Sequence, residues 1–172
     1  GTFDESIQTK KVNFGNYSKD YMLYRPGFPD NFYAKIDTIL EENFGKIGKM
    51  DLNFLDLGTG PGIVALKLSQ IYPNSNIIGV DISPNQIKYA KIKRDKLKLN
   101  NCSFYVGNAE NISNIIKKPY SIDVVICGQC WPWFNLDKTF PELNKITKHN
   151  GLLIIAQYCY MPSLSNIAKM TE

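Results

Sequence analysis

Five short runs along the chain are almost wholly apolar: Asn53–Leu57, Ile77–Val80, Ser103–Val106, Asp123–Ile126 and Leu152–Ala156. Each is rich in Ile, Val, Leu or Phe and bounded by Gly, Asn or Pro, the pattern of strands buried on both faces of a parallel sheet. Between them the spacing turns helical over Pro61–Ile71, Pro84–Leu99, a short Ile112–Lys117 and Asp137–Lys148. Boundary chemistry agrees: Ser83-Pro84 supplies an N-cap and an N1 proline, Pro61 takes the N1 place for the helix before it, and Asn150-Gly151 reads as the end of the last helix. Strand and helix alternate throughout. Right-handed β-α-β crossovers then bury both faces of one sheet, which predicts an α/β fold: a doubly wound, mostly parallel sheet with helices on both faces. Ligands of such sheets bind at the carboxyl ends of the strands, near the reversal of strand order.

The first fifty residues stand outside this alternation. Tyr21-Met22-Leu23-Tyr24-Arg25-Pro26-Gly27-Phe28-Pro29 leads into a helix-like run that ends at Leu40. The segment reads as an extra N-terminal helix or as a lid over a ligand at the sheet edge. The expected division is residues 1–50 as this extension and 51–172 as the core, one domain overall, since 172 residues bury one good core.

Composition narrows the class. Hydrophobic residues at 44% and charged residues at 21% are ordinary for a folded globular domain and argue against disorder. Gly1–Lys10 lacks an apolar signal core and no run approaches a membrane span, so a cytoplasmic protein without membrane partners is expected. The net charge of +4 is concentrated at Lys88, Lys91, Lys93, Arg94, Lys96 and Lys98. A solvated helix face explains that run better than nucleic-acid binding, because no aromatics interleave it in a stacking pattern. Of the four cysteines, Cys127 and Cys130 have C-x-x-C spacing, but no second pair exists and His149 is the single histidine. No metal site is expected, and the thiols read as structural or substrate-lining.

The strongest local signal is Leu55-Asp56-Leu57-Gly58-Thr59-Gly60-Pro61-Gly62-Ile63, between a predicted strand and a helix. Glycines there allow a sharp turn and close approach of a ligand to the main chain, and the helix N-terminus favours an anion. About twenty residues on, Asp81 ends the next strand, where a carboxylate can accept both ribose hydroxyls of a nucleoside. Ile82 could cover the adenine face, and Asn108-Ala109 could meet its edge. Two details favour S-adenosylmethionine over a dinucleotide: Ile63 stands where the third glycine of G-x-G-x-x-G would be, and Asp56 at the mouth of the loop would repel a pyrophosphate but attract an ammonium or sulfonium.

With these residues in place, the chain resembles the class I, seven-strand, Rossmann-like S-adenosylmethionine-dependent methyltransferases, particularly the small-molecule branch with trans-aconitate-type and ubiquinone-type enzymes. Leu55–Gly62, Gly79–Ser83 and Gly107-Asn108-Ala109-Glu110 resemble three of the family's motifs in order. Ser121–Ile126 resembles its fourth strand, and Trp131-Pro132-Trp133-Phe134-Asn135 the tryptophan-rich segment of one branch. The resemblance covers about Asn13 to Tyr158. It implies a donor site of Asp56, Gly58, Thr59, Gly60, Gly62, Asp81, Ile82, Asn108, Ala109, Glu110 and Cys127, with Tyr21 and Arg25 reaching the donor's carboxylate. Gln129, Trp131, Trp133 and Phe134 would line the acceptor. S-adenosylhomocysteine would be the product.

Three departures from the family pattern stand out. Asn108 replaces a frequent acid, so that an amide oxygen would meet adenine N6; Pro132 stands where histidine is common; and the strands expected after the fifth are missing, as in a piece of a longer protein. No catalytic base is assigned: His149 reads as a helix C-terminal residue, and Glu110 as a solvated helix start. The acceptor is expected to be a small molecule, because Cys127-Gly128-Gln129-Cys130 lacks the Asn-Pro-Pro-aromatic run that resembles amino-methylating nucleic-acid enzymes. Nucleic-acid and protein acceptors stay open, as does the oligomeric state. The rival readings are a non-catalytic donor-binding regulatory domain and an NAD-dependent oxidoreductase.

Overall fold

Period-2 alternation sorts the side chains of the central strands into two cores, one on each face of a single sheet. The computed structural model describes residues 7–14, 17–24, 29–127 and 135–156, with side-chain surroundings for 31–127, 135 and 137–155. Its seven strands are β1 (Ile7–Phe14), β2 (Tyr17–Tyr24), β3 (Asn53–Leu57), β4 (Asn76–Asp81), β5 (Cys102–Val106), β6 (Ile122–Cys127) and β7 (Thr147–Ala156), in the spatial order β1-β2-β7-β6-β3-β4-β5. All neighbours run parallel except the β1–β2 hairpin. The helices are α1 (Pro29–Gly48), α2 (Ile63–Ile71), α3 (Pro84–Lys96) and α4 (Leu136–Ile146), with a 3₁₀ segment at Ala109–Asn114.

Phe54, Val124, Ile126, Leu152 and Ile154 face one core together with α1, α2 and α3, whereas Leu55, Leu57, Val125, Leu153 and Ile155 face the other with the 3₁₀ segment and α4. All six residues of β6 are buried, as a central parallel strand requires. Helix α1 buries Phe32, Ile36, Ile39 and Leu40, an i, i+4, i+7, i+8 stripe. At its end, Lys49 donates to Asp37 at 2.8 Å and to Glu41 at 2.9 Å, and the Tyr72 hydroxyl also donates to Asp37. The extension is thereby fixed to the strand layer.

The five expected parallel strands are present, and β3 and β6 flank the point where strand order reverses. Four expectations change. The helix-like run of the extension is α1, which continues past Leu40 to Gly48, and the residues ahead of it at Ile7–Phe14 and Tyr17–Tyr24 form two strands of the sheet; β2 satisfies the main-chain groups that β7 would otherwise leave open, through pairs such as Tyr21 with Leu153 and Leu23 with Ile155. Pro61 lies in the Thr59–Gly62 turn, and Gly62, in the left-handed region, caps α2 in its place. The short helix between β5 and β6 starts at Ala109, three residues earlier than expected, because Asn108 caps it.

Finally, Asn150-Gly151 does not end a helix. Helix α4 stops at Ile146, and the pair lies in a bulge of β7, between the Ile122–Thr147 and Val124–Leu152 pairings. A Cβ at Gly151 would meet Thr147 Cγ2 at 2.5 Å and two main-chain oxygens near 3 Å, which is why this position is glycine. His149 therefore belongs to β7, its ring stacked 5.7 Å from Tyr120.

Phe54 is fully buried and stacks on Tyr72 at 5.7 Å. Phe54→Ala is expected to cost about 3–5 kcal/mol in urea unfolding followed by circular dichroism.

Candidate functional site

At the carboxyl end of β3 the chain must reverse within five residues to start α2, and only left-handed backbone does this. Gly58, Gly60 and Gly62 have φ of 74°, 58° and 88°. The loop is tied to β4: Gly58 and Thr59 N–H both donate to the Val80 carbonyl, at 2.8 and 2.9 Å. Gly60 N–H then donates to Asp81 Oδ2 at 2.8 Å, and Ser83 N–H donates to Oδ1 of the same carboxylate at 2.9 Å. Asp81 is thus held between the loop and the start of α3, where Ser83 caps the helix by accepting from Gln86 N–H. It lies 7% exposed at the edge of the sheet.

The close fit of loop and strand rests on Gly79, where a Cβ would stand 2.6 Å from Thr59 Oγ1 and 2.7 Å from the Phe104 ring. A lone glycine in an apolar strand is the sequence mark of such close approach. Gly62 is similarly confined, a Cβ there meeting Phe104 Cζ at 2.9 Å and Ala90 Cβ at 3.0 Å.

Asp56 does not stand at the mouth of the loop. It is 2% exposed beneath it, accepting from the Thr59 hydroxyl at 2.8 Å. Burial pushes its carboxyl up to about 7, helped by the charge of Asp81 and opposed by hydrogen bonds from Thr59 and the Ala65 main chain. This acid braces the glycine turn from below, and the turn in turn keeps water from it.

After β5, Asn108 Oδ1 accepts from Glu110 N–H at 2.9 Å and so caps the 3₁₀ segment. Ala109 points into the core. Glu110 is partly exposed, with Lys138 Nζ 3.9 Å away. Ile82, next to Asp81, is 69% exposed, a large apolar side chain free to cover a ligand. Cys127, at the end of β6, is fully buried in the core under α4, so only its main chain can face the cleft. The structure therefore gathers Gly58, Thr59, Gly60, Gly62, Asp81 and Ile82 at one place, with Asp56 behind them and Asn108-Ala109 at the end of β5. Tyr21 lies in β2, two strands beyond β6. Its side chain, and Arg25, Gln129, Trp131, Trp133 and Phe134, lie outside the described residues.

Comparison with known proteins meets this geometry at the same residues: positions 49–172 match the family described as "Methyltransferase domain". The chain belongs to the methyltransferase-domain family. It is 31% identical over 153 residues to a Dictyostelium discoideum protein named as a methyltransferase, covering 89% of this chain and 51% of that one. A release factor glutamine methyltransferase of Buchnera aphidicola is 40% identical over 132 residues, 72% of this chain and 46% of the relative. A malonyl-[acyl-carrier protein] O-methyltransferase of Acetivibrio thermocellus is 27% identical over 152 residues, 88% and 50% of the two chains. Among solved structures, an S-adenosyl-L-methionine-dependent methyltransferase from Methanococcus maripaludis superposes with a TM-score of 0.58 at 22% identity, covering 74% of this chain and 58% of that one. The fold is thus the Rossmann-like methyltransferase fold expected from the motifs. The chain spans about half the length of the curated relatives it matches. Membership of a methyltransferase family displaces the oxidoreductase alternative.

Two outcomes follow from the loop. Between about pH 4 and about pH 7 the folded protein keeps a proton on Asp56 that the unfolded chain has released, so this group's contribution to stability falls as pH rises through that window and then levels. Asp56→Asn should remove that dependence: the stability of the variant relative to the parent, from urea curves at stepped pH, should rise from about pH 4 to 7 and plateau above. Gly62→Ala is expected to cost about 2 kcal/mol or more in the same assay, from positive φ and crowding at Phe104.

Proposed function

We propose that the chain binds S-adenosylmethionine across the glycine loop and transfers its methyl group to a small-molecule acceptor. The observation that carries this reading is the Asp81 carboxylate, fixed at the carboxyl edge of the sheet by one main-chain N–H on each oxygen. Each oxygen keeps a second lone pair, and two acceptors on a rigid carboxylate suit the neighbouring hydroxyls of a ribose. Ile82 supplies the apolar surface for adenine. The Asn108 oxygen accepts from Glu110 N–H and keeps a second lone pair, so both it and the Nδ2 group are available to the edge of the base.

The N–H groups of Gly58, Thr59, Gly60 and Gly62 all donate within the protein. Their part is close approach to the sulfonium end of the ligand, and Asp56, buried with its carboxyl raised to about 7, supports the turn from beneath through the Thr59 hydroxyl. When bound, S-adenosylmethionine supplies a methyl carbon already activated by sulfonium. The residues of this chain then have to align it and exclude water, for which Asp81 orients the sugar and Ile82 closes one side. No base is assigned: His149 stacks on Tyr120 at the amino ends of β6 and β7, the edge opposite Asp81.

Support for a small acceptor comes from the segment after β6, which lacks the Asn-Pro-Pro-aromatic run, and from the relative named for O-methylation of a malonyl group. The relative named for release factor glutamine makes protein the competing class.

Titration calorimetry with S-adenosylhomocysteine tests the donor site. Binding should be saturable, and Asp81→Ala should weaken it about a hundredfold, two charge-assisted hydrogen bonds at ~1.5 kcal/mol each. No heat with donor or product would sink the proposal. Turnover against short carboxylic acids, their thioesters and a release factor then assigns the acceptor, and binding without turnover on any of them would favour a regulatory domain.

A further inference from the structure

The face of the molecule that carries α2 and α3 has a feature that methyl transfer does not use. Helix α2 presents Ile63, Lys67 and Gln70, and α3 presents Tyr89, Ile92, Lys93 and Lys96, each set an i, i+3, i+4, i+7 stripe or part of one. Between the stripes runs an open groove of about 680 Å³, floored by Leu66 and apolar side chains and closed at one side by Tyr33 of α1. Leu66 is buried, but the apolar groups of the two walls are open to solvent: Ile63 is 56% exposed, Tyr89 61% and Ile92 42%.

The rim has one sign. Lys67, Lys93 and Lys96 line the groove, and among the described residues no aspartate or glutamate does. The neighbouring acid, Asp95, is taken by Arg94 at 3.0 Å. We propose that this groove is a docking site for an acidic amphipathic helix of a partner protein, its apolar stripe on Ile63, Leu66 and Ile92 and its carboxylates on the three lysines. Length fits this occupant: the α3 stripe from Tyr89 to Lys96 spans about two helical turns, the footprint of a partner helix of roughly three. Nucleic acid fits less well, because most of the apolar lining is aliphatic and its two tyrosines, Tyr33 and Tyr89, stand on different helices and do not make a row of faces for successive bases. A second copy fits less well too, since the chain carries a net charge of +4 and copies repel.

Fluorescence anisotropy with the whole chain tests the proposal. The probe is a labelled synthetic helix of roughly three turns with leucines on one 3.6-period stripe and glutamates on both flanks. Binding is expected, with a loss of about tenfold or more in the Lys93→Glu/Lys96→Glu variant, and a gain for that variant when the flanks of the probe are lysine instead. Retained S-adenosylhomocysteine binding by the variant controls for folding, since these exposed lysines lie outside the donor site. Four results would each overturn the proposal. They are no saturable binding up to about 1 mM, equal binding of a scrambled probe, tighter binding of an oligouridylate lost in the same variant, and a concentration-dependent dimer in sedimentation abolished by Ile92→Glu.

Discussion

One carboxylate holds the working edge of this protein together. Asp81 ends β4, and its two oxygens take the N–H of Gly60 from the loop after β3 and the N–H of Ser83 from the start of α3. Two β-α connections that leave the sheet side by side are thereby locked to each other by a single side chain. The surrounding residues serve that lock: Gly79 lets the strand pass beneath Thr59, Val80 accepts two loop amides, and Phe104 fills the space that Cβ atoms at Gly62 and Gly79 would need. A charged group costs a great deal to bury unless it is hydrogen-bonded, so the lock and the low exposure of Asp81 sustain one another.

Asp56 shows the opposite arrangement a few residues away. It is a second carboxyl under the same loop, more deeply buried, with the Asp81 charge nearby and a hydroxyl as its side-chain partner. Burial is the main cause of its raised carboxyl and the neighbouring Asp81 charge a smaller one. The other carboxylate lies at the edge of the sheet with a main-chain donor on each oxygen. The acid at the edge ties two loops together while the buried one supports the backbone.

How much of this was legible in the sequence depends on how local the cause is. The buried strands β3, β4, β6 and β7 show as apolar runs because both faces are largely covered, and β5 shows as one although Tyr105 and Val106 at its end are half exposed; the Ser83-Pro84 start of α3 shows because capping is decided by adjacent residues. The glycine loop and Asp81 belong to the same class, fixed by chain order alone. Asp56 was misplaced because its spacing is that of an exposed acid at a strand end, and its burial is set by Thr59 folding back and by Ala65 on the next helix. The cap that Asn108 forms is hidden for a similar reason: it depends on a 3₁₀ turn that starts earlier than the apolar pattern suggests. The hairpin Ile7–Tyr24 went unread because Tyr17-Ser18-Lys19-Asp20-Tyr21 has too little apolar contrast for a strand signal. Gly151 was read as a helix stop when its crowding comes from Asp123 and Thr147, brought against it only by the assembled sheet.

The pairing of β2 with β7 sets an order of events during synthesis. Tyr21 and Leu153 are neighbours in the sheet although more than a hundred residues separate them in the chain. A nascent chain leaving the ribosome has its amino-terminal hairpin free long before the strand that receives it exists, and closing so distant a contact is slow. The β2 edge of the hairpin therefore waits unpaired while the strands between are made, and joins the sheet only when β7 has emerged.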